Sequence, residues 1–329
     1  LKKKILILLL KLTVSTVLLY LVYNRISAIE FKEFTFYIPW YELLFLMPVL
    51  FINSILNTWK WKLILDATEI KLPFKALLSS HLIGTFLNIF MPSNIGGDAY
   101  RIYDISKQSA RPVRSLTSVL ADRISGFTVL TLCGLIASIV FFELHDDIAV
   151  IIPPMIVFII LLAGIFMLLQ QSILFRIIGV LKLSRFEKIN KLVESFMAAF
   201  KTYRENPLML VKIMTISVCF YAISILFVYM LAVAIGFKIG FAYFCIYVPL
   251  IMLMEAIPAS IYGIGFRDAG YVLFFVEVGL SSAQALQMSV TYVTISLLYS
   301  LLGGILLAVR MMANKSAPVA TGGDRAVKE

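Results

Sequence analysis

The sequence predicts an all-α polytopic membrane protein with six full-span helices and two re-entrant helical hairpins, arranged as an inverted repeat. Three observations support this prediction. Hydrophobic residues make up 61% of the chain and charged residues only 15%, a composition outside the range of soluble domains. Apolar runs of membrane-spanning length alternate with short basic clusters. A proline-glycine motif that ends in arginine occurs once in each half of the chain.

Six apolar runs are long enough to cross a bilayer as helices of about 20 residues. They cover residues 5–23, 38–58, 116–142, 148–170, 207–236 and 283–309. The first run follows three lysines, but it is too long for a signal peptide and lacks a small-residue cleavage site. We therefore interpret it as a retained first helix. Tryptophans at both ends of the second run are predicted interface anchors with lysines extending beside them, and these residues are Trp40, Trp59, Lys60, Trp61 and Lys62.

Two other apolar runs, 74–91 and 241–257, end at the proline-glycine motifs, and we expect each to turn back inside the membrane. Basic clusters place both flanks of residues 74–114 in the cytoplasm, so this first hairpin enters from the inside. From the basic stretch before it, the helix at 207–236 leads out of the cell, and the last helix at 283–309 should return to the cytoplasm at Arg310. Both flanks of residues 241–280 are therefore predicted outside, so the second hairpin enters from the opposite face. We expect a multi-pass protein of the cytoplasmic (inner) membrane with both termini in the cytoplasm.

The two motifs align without a gap, which supports a division into repeats. Residues 92–101 correspond to residues 258–267, with Pro, Ile, Gly and Arg coinciding and an aromatic residue before each Arg. The first repeat covers 1–147, the second covers 148–312, and a disordered tail is predicted for 313–329. Broken helices in inverted repeats are typical of transporters that work by alternating access.

The arginines that end the motifs, Arg101 and Arg267, are the leading candidates for substrate binding. A guanidinium offers forked donors to phosphate and keeps its charge in apolar surroundings. A charge inside a membrane is costly, so an unused one is rare. The alternative is that each arginine anchors the base of its hairpin at the headgroups. The matching positions in both repeats favour a shared binding role.

Further candidates lie around the motifs. Irregular backbone there could present N–H groups to an anion beside the positive end of the following half-helix, at Asn94, Gly97, Ser260 and Gly263. Arg123 is a third candidate cation, while a direct role and simple charge pairing are both open for the nearby carboxylates, which are Asp98, Asp122 and Asp268. Glu255 lies in an apolar run and is a candidate for proton coupling. We favour instead that it neutralises an arginine of the other hairpin.

The motif residues resemble the transmembrane region of lysylphosphatidylglycerol synthases and its stand-alone, flippase-like relatives. The likeness rests on three segments, Pro92–Arg101, Asp122–Gly126 and Pro258–Asp268, within a resemblance that spans about residues 5–310. It implies lipid translocation between leaflets, with two re-entrant hairpins around a central polar cavity. Asp268 stands where the family is expected to have Glu more often. Only a short stretch follows Arg310, so we expect no aminoacyl-lipid synthesis from this chain.

These observations favour a flippase that moves an anionic, phosphate-bearing lipid, which is either a phospholipid or a polyprenyl-phosphate-linked sugar. That lipid is the expected partner, and the sequence is compatible with a homo-oligomer. We expect no nucleic-acid partner, because the basic residues behind the net charge of +10 lie between apolar runs. No metal or cofactor is expected, since the three cysteines, Cys133, Cys219 and Cys245, lack metal-ligand spacing.

Two alternatives stay open beside the flippase, which is not expected to be an enzyme. A membrane enzyme acting on polyprenyl phosphates would need several histidines or clustered carboxylates, but the chain has 2 histidines, and Asp146-Asp147 stands alone on the predicted outer side. A transporter of a small soluble anion would share the same architecture, and only a lateral opening toward lipid would distinguish it.

Overall fold

The computed structural model describes residues 40–90, 95–145, 148–169, 206–257 and 263–316, together with isolated positions at 13, 16–17, 20, 190, 193–194 and 197–198. All regular structure in these residues is helical, and none of them forms a strand. The predicted all-α class is therefore confirmed for the described part of the chain. Most of the predicted first helix and of the predicted tail lies outside the described residues.

Nine α-helices occur in the described residues. They are α1 (Trp40–Ala67), α2 (Phe74–Phe90), α3 (Ile95–Ser109), α4 (Pro112–His145), α5 (Ile152–Leu169), α6 (Pro207–Ala234), α7 (Phe241–Glu255), α8 (Phe266–Phe275) and α9 (Ser282–Ser316). Four of them are long and apolar enough to cross a membrane, namely α1, α4, α6 and α9. The chain is thus a multi-pass membrane protein. α5 lies where the sequence predicts a further span, and it is a shorter apolar helix followed by residues outside the description.

The other four helices form two short pairs, α2 with α3 and α7 with α8, and each pair flanks one of the motifs. α8 has 10 residues and rises about 15 Å at 1.5 Å per residue, roughly half of the ~30 Å hydrocarbon core. It follows a turn in which Gly263 and Gly265 have φ angles of +74° and +92°, a conformation that glycine adopts without strain. α8 therefore begins at a sharp break in the chain and cannot cross a membrane alone.

Three apolar cores occur in the described residues, and the two larger ones hold most of the helices together. The larger core contains aromatic side chains of α6, α7 and α8, including Phe227, Phe244, Tyr247, Tyr271 and Phe275. The smaller of these two lies between α1, α2, α3 and α4 and includes Trp61, Leu65, Leu77, Ile105 and Val119. Many apolar side chains on α4, α5, α6 and α9 are exposed, as expected for helices that face lipid tails.

The packing contacts between the helices follow a symmetric pattern. α1 packs against α6, and each short pair packs internally, as α2 against α3 and α7 against α8. α4 contacts both α3 and α7, while α9 contacts both α8 and α2. The pairs α1–α2, α1–α4 and α4–α6 likewise have counterparts in α6–α7, α6–α9 and α9–α1. Exchanging α1–α4 with α6–α9 leaves this set of contacts unchanged.

Gly303 of α9 lies against the backbone of α2, and a side chain has no room there. A Cβ atom at this position would lie 2.0 Å from the carbonyl oxygen of Leu82. Gly303→Ala should therefore push α2 away from α9 and destabilise the protein by about 1–3 kcal/mol, measured as a lower melting temperature in detergent. Gly164→Ala in α5 is the matched control, because nothing lies within 4 Å of that position. Equal melting temperatures for the two variants would contradict this packing.

Candidate functional site

Five charged side chains of α1, α3 and α4 form a network around Arg101, which we call the first cluster. Its members are Lys60, Asp98, Arg101, Asp122 and Arg123. Arg101 pairs with Asp122 at 3.0 Å and with Asp98 at 3.3 Å. Lys60 pairs with Asp122 at 3.0 Å, and Nε of Arg123 donates to Asp98 at 2.6 Å. Cations and carboxylates therefore alternate along the network from Arg123 to Lys60.

Helical spacing explains how the first cluster assembles. Asp98 and Arg101 are three residues apart on α3, so they share one helix face as the sequence predicts. Asp122 projects from α4 between α3 and α1, where it meets Arg101 and Lys60. The side chains of Arg101 and Asp122 are only 6% and 4% exposed, whereas that of Arg123 is 39% exposed. The cluster therefore has a buried centre and a more accessible end at Arg123.

The aromatic ring of Trp61 packs against Arg101 of the first cluster. Its ring centroid lies 3.9 Å from Cζ of Arg101, within the range of a cation–π interaction. The indole N–H of Trp61 donates to the hydroxyl of Ser118 on α4 at 3.3 Å, which fixes the orientation of the ring. Arg101 is thus held by two carboxylates and one aromatic face.

The predicted interface role is wrong for Lys60 and Trp61, which are 6% and 0% exposed. The reason is that α1 continues to Ala67 instead of ending near residue 58, so these residues lie on a packed helix face. Trp40 and Trp59 are 74% and 53% exposed, as expected for interface anchors. The predicted helix ended at its charged residues because hydropathy considers one segment at a time. It gives no information about a buried carboxylate on another helix that could pair with Lys60.

A second cluster surrounds Arg267 at the second motif and consists of Glu255, Arg267, Asp268, Ser289 and Tyr292. Arg267 is 1% exposed, and its Nε donates to the Ser289 hydroxyl at 3.0 Å. That hydroxyl donates in turn to Asp268, which also accepts the backbone N–H of Gly265 at 2.8 Å. The ring centroid of Tyr292 lies 5.7 Å from Cζ of Arg267. Asp268 therefore caps the start of α8 and positions the arginine through Ser289.

Glu255 of α7 contacts Arg267 of α8, in the same helix pair, at 3.7 Å, so the favoured pairing with an arginine of the other predicted hairpin is wrong. The positive φ of Gly263 brings the chain back over this carboxylate, and a Cβ atom at Gly263 would lie 2.4 Å from the Glu255 side chain. Glycine is needed at this position for both reasons. Gly263 therefore shapes the second cluster through its backbone, and its predicted role as a backbone N–H donor to an anion stays a prediction.

The structure shows the hydrogen-bond partner of one predicted backbone donor, Gly97. The N–H of Gly97 donates to Oδ1 of Asn88 on α2 at 2.6 Å, and a Cβ atom at Gly97 would lie 2.4 Å from the carbonyl oxygen of Gly84. Gly97 therefore joins α3 to α2 in this conformation, with its N–H already bonded. Asn94 and Ser260 lie outside the described residues.

The two clusters are separate in the described part of the chain. Arg101 and Arg267 pair with carboxylates of their own short helix pairs or of α4, and none of the ion pairs found in the described ranges joins the clusters. A cavity of about 30 Å³ lies beside the second cluster and is lined by Asn53, Ser224, Glu255, Arg267, Tyr271 and Tyr292 among others. This volume accommodates one or two water molecules, so a lipid headgroup would require the helices to move apart.

Sequence reasoning missed several residues that belong to these clusters or to the cavity, among them Asn53, Lys60, Trp61, Ser289 and Tyr292. Asn53 and Lys60 carried a usable signal, because a polar residue within a membrane helix usually faces a partner or a cavity. Ser289 resembles many other helical serines and gave no such signal. Among the described residues, no group of three or more His, Cys, Asp and Glu side chains lies close enough to hold a metal ion.

Comparison with known proteins bears on the identity of this fold. Residues 8–304 match the family described as the lysylphosphatidylglycerol synthase TM region. Neither the curated proteins nor the solved structures gave a significant match. The family match covers both clusters and all nine described helices except the end of α9. The chain therefore belongs to the lysylphosphatidylglycerol synthase transmembrane-region family.

Proposed function

We propose that the protein is a lipid flippase that moves an anionic, phosphate-bearing lipid between the leaflets of the cytoplasmic membrane without changing it chemically. Membership of the family supports a membrane role. Two further observations support lipid translocation: an arginine is buried just after each motif, and the helix contacts are unchanged when α1–α4 and α6–α9 are exchanged.

The sharing of carboxylates in the first cluster carries this proposal. Arg101 has two carboxylate partners, and each of them has a second cation, because Asp98 also binds Arg123 and Asp122 also binds Lys60. Removing one partner from a buried ion pair costs about 3–5 kcal/mol when the other charge is left alone. Arg101 can release both carboxylates without leaving either of them alone. Arg101 can therefore turn to a substrate phosphate while both carboxylates keep a cation.

Arg101 also has an unused donor. Its Nε–H is buried and has no hydrogen-bond partner in the part of the chain that the structure describes, although a buried donor without an acceptor is costly. A phosphate oxygen would satisfy this group together with a terminal nitrogen, in the forked geometry that guanidinium groups offer to phosphate. Arg123 lies at the accessible end of the cluster and would receive the phosphate first.

The architecture that we propose for transport is the inverted repeat predicted from the sequence. It contains six full spans and two hairpins, α2–α3 and α7–α8, which enter the membrane from opposite faces. The short length of α8 and the exchangeable helix contacts support this arrangement. Movement of one repeat against the other would then open the clusters to each side of the membrane in turn.

A leaflet assay tests the proposed function. Liposomes containing the protein and a fluorescent anionic phospholipid are treated with an impermeant quencher, and the loss of inner-leaflet signal reports translocation. Arg101→Lys keeps the positive charge but loses the paired N–H donors of the guanidinium group. We expect a translocation rate about 10- to 100-fold lower, because hydrogen bonds to charged groups contribute about 1.5–3 kcal/mol. The melting temperature of the variant shows whether it is folded.

Arg114→Lys is the matched control, because Arg114 is partly exposed and pairs with Glu69 in the loop before α2. We expect this variant to move lipid at the wild-type rate. Folded Arg101→Lys protein with the wild-type rate would contradict the proposal. Mass spectrometry of the recovered lipid should show it unchanged, and a modified product would indicate an enzyme. Uptake of inorganic phosphate without lipid movement would indicate a transporter of soluble anions.

A further inference from the structure

The cavity beside the second cluster contains a buried acceptor that has no donor. Asn53 of α1 is 9% exposed and lines the cavity. Its Oδ1 atom is buried and lacks a hydrogen-bond partner among the described residues. An unsatisfied buried acceptor is destabilising unless a water or another ligand reaches it. The position of Asn53 where α1 meets α6 therefore needs an explanation beyond packing.

The hydrogen bonds around Asn53 determine which end of its amide faces the cavity. The Ser224 hydroxyl donates its only hydrogen to the carbonyl of Phe220 at 2.8 Å, so its oxygen can only accept a second bond. Nδ2 of Asn53 donates to this oxygen at 2.8 Å. The reversed amide would place two acceptors against each other. Oδ1 of Asn53 is thus left as the acceptor without a donor.

Glu255 is the carboxylate that lines this cavity. The second cluster contains one cation, Arg267, and two carboxylates, Glu255 and Asp268, among the described residues. Asp268 accepts hydrogen bonds from Ser289 and from the backbone of Gly265. Among the described residues, Glu255 has one ion-pair partner, Arg267, at 3.7 Å. The second cluster therefore has one carboxylate more than it has cations among these residues. Asp268 is held by its two hydrogen bonds, whereas Glu255 faces the cavity.

The other groups around the cavity, among the described residues, do not supply a second positive charge to balance Glu255. α8 contributes Arg267, Asp268 and Tyr271, and α9 contributes Tyr292. The polar residues of α1 and α6 that line the cavity are Asn53 and Ser224, and both are uncharged. α4 meets α7 through Gly134, which lies against the uncharged Leu253.

We propose that Glu255 is a proton-binding site, in which the protonated carboxyl group and a water in the cavity donate hydrogen bonds toward Oδ1 of Asn53. The proton neutralises the second cluster, and the cavity of about 30 Å³ holds the water. The Glu255 side chain is 23% exposed, so the proton can exchange with the surroundings. A metal cation fits less well, because Arg267 lines the same cavity and would repel it.

Infrared difference spectroscopy of the purified protein tests this site without any lipid substrate. The difference spectrum between high and low pH contains the carbonyl bands of every acid that takes up a proton, and one of them should lie at the higher frequency typical of a protonated carboxylic acid in apolar surroundings. Glu255→Gln should lose this high-frequency band. Glutamine has the shape of protonated glutamate, so the variant is expected to fold. Glu277→Gln is the matched control, since Glu277 is an exposed acid just after α8, and it should keep the band.

Two further measurements complete the test. Asn53→Ala should shift the frequency of the band, because the carboxyl group loses part of its hydrogen-bonded network, whereas a purely structural role of Asn53 would leave the frequency unchanged. Saturating sodium at constant pH should leave the band in place. A band that persists in Glu255→Gln, or one that sodium removes, would overturn the proton site. Either result leaves the leaflet assay with Arg101→Lys unaffected, so this inference and the proposed function can fail separately.

Discussion

Asp122→Asn should destabilise the protein by about 3–5 kcal/mol, because removing one partner of a buried ion pair leaves an uncompensated charge. Asp122 is 4% exposed and lies between Arg101 and Lys60, at 3.0 Å from each. Asparagine keeps the shape of the side chain but leaves these two cations facing each other in an apolar setting. The measurement is the melting temperature in detergent, supported by denaturant unfolding.

Asp66→Asn provides the matched control for this change. Asp66 pairs with Lys62 at 2.9 Å, four residues earlier on the same helix, and both side chains are about one-third exposed. Such pairs contribute about 0–1 kcal/mol, so the control should melt close to the wild type. Lys60→Met combined with Asp122→Asn should recover part of the loss, since one of the two opposed cations is removed. Similar melting temperatures for Asp122→Asn and Asp66→Asn would contradict the buried network.

Arg267→Met should have an effect of similar size, about 3–5 kcal/mol, because it leaves the buried carboxylate of Asp268 without its cation. The loss should shrink as the pH falls, since protonation of a carboxylate removes a charge that is left alone. The melting temperature of wild type and variant across a pH series measures both effects. The difference between the two proteins should be largest in the alkaline part of the series.

Arg310→Met is the control for Arg267→Met. Arg310 of α9 pairs with Asp104 of α3 at 2.9 Å, and its side chain is 32% exposed. Water therefore solvates Arg310 better than Arg267, which is 1% exposed, and we expect a smaller loss than in Arg267→Met. Arg267→Lys should retain most of the stability, because it keeps a cation in place. A loss in Arg267→Met that does not depend on pH would show that packing, rather than charge, makes this residue important.

The sequence was informative about the helices and about the arginines. The apolar runs predicted α6 and α7 closely, at 207–236 and 241–257 against Pro207–Ala234 and Phe241–Glu255. Hydropathy works at these positions because lipid-facing helices must be apolar over their whole length. The spacing of Asp98 and Arg101 also predicted their contact, since residues three apart on a helix are neighbours.

Contacts between helices were harder to predict. Lys60 is buried because Asp122 lies opposite it on α4, 62 residues later in the chain, and hydropathy treats each segment alone. The partner of Glu255 depends on how sharply the chain turns at Gly263, which the sequence indicates only as a break. The orientation of Asn53 depends on a hydroxyl of α6 that is 171 residues away. These features arise from tertiary packing, which no local pattern encodes.

The central claim is that two arginine-bearing hairpins enter the membrane from opposite faces, and cysteine accessibility in intact cells tests it most directly. Single cysteines would be placed at exposed positions flanking each hairpin, in a protein whose Cys133, Cys219 and Cys245 are replaced by serine. These positions are Glu69 and Gln108 for the first hairpin, and Lys238 and Glu277 for the second. An impermeant thiol reagent outside the cells should label both Lys238→Cys and Glu277→Cys, and should label Glu69→Cys and Gln108→Cys only after the cells are opened. Labelling of one flank without the other, in either hairpin, would show that the segment crosses the membrane and would contradict the account.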